Sequence, residues 1–170
     1  MKEFKNSKDS LSILTEVVLP NDTNNLDNLM GGRLLHWMDI AAAISAYRHS
    51  NAIVVTASVN NVSFNHAIPR GSIVTLHGKV SRAFTSSMEV FIDVWYENRI
   101  GEKIKCNEAI YTFVAVNKNQ KPIKIPQIKP ESIEEKTRFE GALRRRQLSL
   151  ILAGKMSPDE ATELKSLFIK

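Results

Sequence analysis

Residues 21–49 read NDTNNLDNLMGGRLLHWMDIAAAISAYRH, and they decide how the rest of the chain must fold. The stretch opens polar. Asn24, Asn25, Asp27 and Asn28 tolerate left-handed backbone and bond readily to their own main chain. It passes through Gly31-Gly32 and then runs from 34 to 48 without Pro or Gly, which predicts one long helix. The apolar residues of that helix run almost right round its axis, so burial on most sides is expected. Asp39 is its single acidic group, and a carboxylate is costly to bury unless it is paired or used. A strongly curved sheet wrapped round the helix would cover it.

The flanking sequence supplies such a sheet. Residues 1–10 are charged and polar and read as a frayed start. Residues 10–19, SLSILTEVVL, read as a first strand, ended by Pro20-Asn21-Asp22. Beyond the helix come four strand-like runs, at 53–64, 72–84, 88–97 and 103–116. In the third, Met88, Val90, Ile92, Val94 and Tyr96 alternate onto one face. Gly101 marks a hairpin turn before the fourth. With no βαβ repetition, the order argues for an α+β fold: an antiparallel sheet of five to six strands about a central helix. Residues 1–126 form this domain. Residues 127–170 form a Pro-containing linker and a helical C-terminal tail, with one helix at 131–152 and another opened by Ser157-Pro158.

Composition narrows the function classes. A chain of 170 residues with 43% hydrophobic and 24% charged residues suits one globular domain with a tail. The net charge of +5 raises nucleic acid as a partner. However, the basic excess sits at 118–129 and at Arg144, Arg145 and Arg146, and no nucleic-acid motif accompanies it. Phosphate on a small ligand explains such charge equally well. Arg33, His36, Asp39 and Arg48 interrupt the best apolar run, so no membrane span is expected. The N-terminus lacks an apolar leader, and the lone Cys106 allows no internal disulfide, so a cytoplasmic protein is expected. His36, His49, His66 and His77 make no metal set. His49 reads as a helix-end residue favourable to the dipole. Ser86 and Ser87 lack a nucleophile elbow.

Asp39 reads either as a helix carboxylate paired with His36 or as a catalytic base or nucleophile. Asn24 reads as a turn residue or as one that orients water. Gly31 and Gly32 read as packing glycines or as amide donors to a developing oxyanion at a positive helix end.

The chain also resembles a known family. LPNDTN, MGGRLLHWMDIAAA, AYRH, VVTASVNNVSF, RAFTSSMEV and IYTFVAV are similar, in order and spacing, to successive motifs of the cytosolic acyl-CoA thioesterases, the acyl-CoA hydrolases of the hotdog fold. The resemblance implies hydrolysis of fatty acyl-CoA to fatty acid and CoA, with no cofactor and no metal. It implies that Asp39 is the catalytic acid position and Asn24 the water-orienting one, with Gly31 or Gly32 at the oxyanion. It places CoA near Ala57, Ser58 and Val59 and near Ser86, Ser87 and Met88. Arg82, Arg145 and Arg146 are candidates for its phosphates. It also implies hotdog dimers, commonly assembled as hexamers. Asp27 stands where the family often has glycine.

Spacing adds one expectation. Gly31 and Asp39 are eight residues apart, so roughly 12 Å along one helix axis. Both must lie about 3 Å from the reacting atoms. A two-fold dimer that pairs Asn24 and Gly31 of one subunit with Asp39 of the other meets this requirement, and an obligate homodimer is therefore expected as the catalytic unit. A non-catalytic acyl-CoA-binding module and a hotdog hydratase or dehydratase remain as alternatives.

Overall fold

The computed structural model describes residues 3–60, 62–64 and 66–168. The chain divides into two units, one ending at Lys129 and one beginning at Pro130.

In the first unit the strands are β1 (Phe4–Asn6), β2 (Ser12–Val17), β3 (Ile53–Asn60), β4 (Ile73–Ala83), β5 (Ser87–Glu97), β6 (Lys103–Val116) and β7 (Gln127–Lys129). The helix α1 spans Gly31–Ser50. Five strands form one antiparallel sheet in the order β2-β4-β5-β6-β3, so β2 and β3 are its edges. The sheet curls about α1, which packs on all five of its strands. The face expected on β5 is the inner one: Met88, Val90, Ile92 and Val94 are fully buried. On α1, which packs against β5, Leu34, Trp37, Met38, Ala41, Ala42 and Ala46 are buried as well.

Helix and sheet approach closely at Gly78. The Ser12 hydroxyl donates to the Ala41 carbonyl at 2.7 Å and lies 2.7 Å from the Ser45 hydroxyl. Both hydroxyls lie where a Cβ on Gly78 would intrude.

Three expectations need correction. First, α1 is not buried all round. Ile40, Ile44 and Tyr47 form an exposed stripe, because the sheet of one chain covers only one side of the helix. Second, the start is not frayed. Residues 4–6 pair in parallel with Gln127–Lys129, and a turn of 3-10 helix follows at Ser7–Ser10. The Ser7 hydroxyl donates to the Val80 carbonyl at 2.7 Å, and the Ser10 hydroxyl accepts the Val80 N–H at 2.9 Å. Serine hydroxyls rather than apolar side chains fix this segment, which is why hydropathy did not mark it. The same pairing moves the end of the first unit from 126 to Lys129. Third, His49 does not serve the helix dipole. It is fully buried and hydrogen-bonds Pro126 O through Nε2 at 2.8 Å. The Lys5 ammonium takes the dipole role instead, donating to the carbonyls of Arg48 and His49 at 2.9 and 2.7 Å.

In the second unit, α2 (Ile133–Leu152) begins with a capping box. The Ser132 hydroxyl accepts the Glu135 N–H, and the Glu135 carboxylate accepts the Ser132 N–H. Ser157 then caps a 3-10 turn at Pro158–Glu160, followed by the short α3 (Thr162–Lys165). Among the described residues, no helix is long and apolar enough to cross a membrane.

Candidate active site

The polar loop before α1 is held from its centre by Asp22. This buried carboxylate pairs with Arg33 Nε at 2.8 Å and accepts the Leu19 N–H at 3.0 Å, while its carbonyl accepts the Met30 N–H at 2.9 Å. The loop is thereby fixed to the first turn of the helix. Asp27 sits at φ +56°, so this non-glycine residue does adopt the left-handed conformation. Its carbonyl accepts the Arg70 N–H at 2.9 Å, and its carboxylate meets the Arg70 guanidinium at 3.3 Å.

Asn24 is exposed. Its side-chain carbonyl accepts the N–H groups of Leu26 and Asn28 at 2.9 and 3.2 Å. That is the turn role, and it leaves the amide NH2 as the group the side chain can offer outward.

At the start of α1, the Met30 carbonyl accepts from Arg33 and Leu34 at 3.0 and 3.1 Å. The N–H groups of Gly31 and Gly32 precede these bonds and are donors of the open first turn. Gly31 also lets the exposed Phe64 ring lie close, since a Cβ there would come to 3.2 Å from it. A Cβ on Gly32 would meet nothing.

Asp39 lies two turns further along α1. Its Oδ1 accepts a 3.0 Å hydrogen bond from the Thr56 hydroxyl on β3, so the expected pairing with His36 gives way to Thr56. Tyr111 on β6 also stands near Asp39. Its phenol is pushed up to about 12, first by burial and then by the Asp39 carboxylate. It stays neutral and donates to the Leu35 carbonyl at 3.2 Å. Neither Thr56 nor Tyr111 was anticipated. The available signal for Thr56 was a hydroxyl in the otherwise apolar run VVTASV.

The other expected residues fall as follows. Ala57 is the bulge residue of β3, passed over between Thr56 and Ser58, which with Val59 continue the sheet edge. Met88 pairs with Phe113, and Phe113 with Thr56, so the β5 end and the Asp39 partner share one row across the sheet. At two strand spacings they are separated by roughly 10 Å. The Met88 side chain itself is in the core. In the β4–β5 turn, the Ser86 and Ser87 carbonyls accept from Ala115 and Phe84 at 2.8 Å each. Arg82 stands 5.8 Å from the centre of the Phe84 ring. Arg145 and Arg146 lie on α2, where Arg145 donates to the Arg138 carbonyl at 3.0 Å. Among the described residues, no three His, Cys, Asp or Glu side chains cluster as a metal site would require.

A family described as Thioesterase superfamily matches residues 26–102. A Bacillus subtilis protein described as an uncharacterized acyl-CoA thioester hydrolase is 40% identical over 134 residues, covering 78% of each chain. The chain belongs to the thioesterase superfamily. Mouse acyl-coenzyme A thioesterase 11 is 41% identical over 141 residues, which make up 82% of this chain but only 24% of that larger protein. A hexameric acyl-CoA thioesterase structure superposes with a TM-score of 0.86 at 36% identity, covering 89% of this chain and 98% of that one. The acyl-CoA hydrolase of Staphylococcus aureus, solved with butyryl-CoA, CoA and CoA disulfide, gives a TM-score of 0.82 at 33% identity over 89% and 95% of the two chains. That enzyme has also been solved with alanine replacing an aspartate, a threonine and an asparagine in turn. These neighbours share the hotdog arrangement, here the five-stranded sheet curled about α1.

Proposed function

We propose that the protein hydrolyses fatty acyl-CoA to the fatty acid and CoA, with Asp39 as the catalytic carboxylate and Thr56 as its positioning partner. The contact between Asp39 and Thr56 carries this reading. Support comes from the Staphylococcus aureus enzyme. There the replaced asparagine precedes the aspartate by 15 positions and the threonine follows it by 17. Asn24, Asp39 and Thr56 stand at the same two intervals.

The chemistry balances with water alone. One Oδ of Asp39 takes a proton from water, and the resulting hydroxide adds to the thioester carbonyl. The Gly31 or Gly32 N–H stabilises the developing oxyanion at the positive end of α1. Collapse breaks the C–S bond, and the proton on Asp39 passes to the departing sulfur. Direct attack by Asp39, followed by hydrolysis of an acyl anhydride, gives the same products.

The catalytic unit in this reading is a homodimer joined along β3. That strand leaves one edge unpaired and exposes Ile53, Val55 and Val59, while α1 exposes Ile40, Ile44 and Tyr47 beside it. Pairing two such edges about a two-fold axis extends the sheet, covers both apolar stripes and lets Asn24 and Gly31 of one subunit face Asp39 of the other. The hexameric neighbour suggests three such dimers as the full assembly.

The test is release of free CoA from acyl-CoA by the purified protein and by Asp39→Asn. Activity in the first and near-complete loss in the second are expected. Equal rates would overturn the assignment of Asp39, and hydration of an enoyl-CoA without thiol release would point to a hydratase.

A further inference from the structure

At the end of the β4–β5 ladder where Ile73 pairs with Glu97, a cleft of about 340 Å³ opens. Pro69, Arg70, Ser72, Asn98, Arg99 and Ile100 line it. The volume lies within the roughly 300–1,000 Å³ usual for small-molecule sites. Two of the lining residues are arginines, and none is acidic. Pro69 and Ile100 give it an apolar flank.

The polar groups of the lining are unequally committed. Asn98 is consumed by its own turn, accepting from Ile100 and Glu102 and donating to the Glu102 carboxylate. Arg70 holds Asp27, but both side chains of that pair are largely exposed, and such pairs contribute little. Arg99 has no hydrogen bond or ion pair among the described residues. Ser72 is only 2% exposed. Its N–H and carbonyl are taken by Pro69 and Val18, yet its hydroxyl has no partner among the described residues. A hydroxyl that bonds no protein group, in a cleft lined by two arginines, offers a further donor to an anion held there.

We propose that this cleft binds phosphate groups through Arg70, Arg99 and Ser72, and that the loop carrying Asn24 senses its occupancy. The link is short. A phosphate on Arg70 competes with Asp27, and the Asp27 N–H is bonded to the Asn24 carbonyl at 3.0 Å. This consequence for catalysis rests on the role given to Asn24, whereas the binding itself does not. The phosphate has two possible sources. One is the CoA of the substrate held between two subunits, and the other is a separate phosphorylated metabolite. The cleft is ten ladder positions, roughly 30 Å, from the Ala83–Met88 end where Arg82 lies. It is therefore a different site from the one expected around Arg82 and Ser86.

Pyrophosphate titrated calorimetrically into the full-length protein tests the binding. It should bind the wild type, and Arg99→Gln and Ser72→Ala should each weaken it, the arginine change by roughly tenfold. Absent binding, or equal binding by all three proteins, overturns the proposal. Kinetics then identify the source. If Arg99→Gln raises KM for acyl-CoA but not for the acyl N-acetylcysteamine thioester, the phosphates are those of the substrate. If pyrophosphate alters turnover of the N-acetylcysteamine thioester by the wild type but not by Arg99→Gln, the ligand is a separate metabolite. A protein that binds pyrophosphate as described but hydrolyses no thioester would refute the proposed activity and leave the site standing.

Discussion

The hydroxyl of Thr56 on β3 donates a 3.0 Å hydrogen bond to Oδ1 of Asp39 on α1, joining the sheet edge to the one carboxylate of the central helix. In the proposed mechanism this bond orients Asp39 through Oδ1 and leaves Oδ2 for the reacting water. Losing one such bond to a charged acceptor costs about 1.5–3 kcal/mol. Thr56→Ala should therefore lower kcat by roughly ten- to a hundredfold with little change in KM, and Thr56→Ser should restore most of it. A rise in KM at constant kcat would instead mark Thr56 as a substrate contact.

A site shared between subunits predicts complementation. Asn24→Ala and Asp39→Ala homodimers each lack one half of every site and should be nearly inactive. In a heterodimer of the two, one of the two sites carries both defects and the other carries none. Mixing them under subunit exchange should thus recover up to about a quarter of wild-type activity, as half the dimers form mixed and half their sites are intact. No recovery, with heterodimers verified by mass spectrometry of differently tagged subunits, would place both residues in one subunit's site.

The sheet strands and α1 were legible because alternation and helical spacing both reflect burial within a single chain. The exposed stripe of Ile40, Ile44 and Tyr47 was not, since a sequence pattern records that a face is apolar but not which chain covers it. The segment from Phe4 to Ser10 was missed for a different reason. Its attachment is made by serine hydroxyls and by the parallel pairing with Gln127–Lys129, and neither leaves a hydropathy signal. In the candidate site, Asp39 stood out as a charge in an apolar helix. Thr56 did not, because threonine is ordinary in a strand and its partner lies 17 residues earlier.

His49 makes stability depend on pH. Burial lowers its pKa below the ordinary 6.5, the Pro126 hydrogen bond opposes this, Lys5 adds to the lowering and Asp9 acts against it. With Nε2 donating to Pro126, Nδ1 is buried without a partner, so a second proton there would be a buried charge with no acceptor. The unfolded chain takes up this proton as the pH falls through 6.5, whereas the folded chain does not. The contribution is therefore complete above that pH and is lost on acidification, by at most about 1.4 kcal/mol per pH unit for one proton. Denaturant unfolding at pH 7.5 and 5.5 should show this loss in the wild type and a shallower one in His49→Gln. An unchanged slope would assign the effect to other groups, of which His77, also lowered chiefly by burial, is the first candidate.

Gly78 sets how closely α1 can approach the sheet. A Cβ there would lie 2.7 Å from each of the Ser12 and Ser45 hydroxyls and 2.8 Å from Ile92 Cδ1. Ser12 cannot swing aside freely, because its hydroxyl is bound to the Ala41 carbonyl in the middle of the helix. Gly78→Ala should thus overpack the core and destabilise the protein by about 1–3 kcal/mol. Gly32→Ala provides the contrast: its Cβ meets nothing within 4 Å, so the helix should gain about 0.5–1 kcal/mol. Ser45→Ala removes one of the obstructing oxygens. The double variant Gly78→Ala with Ser45→Ala should therefore be more stable than the sum of the two single changes predicts, as expected for residues in contact. Strict additivity in denaturant melts would show that the helix moves away from the sheet as a body rather than being stopped at these two hydroxyls.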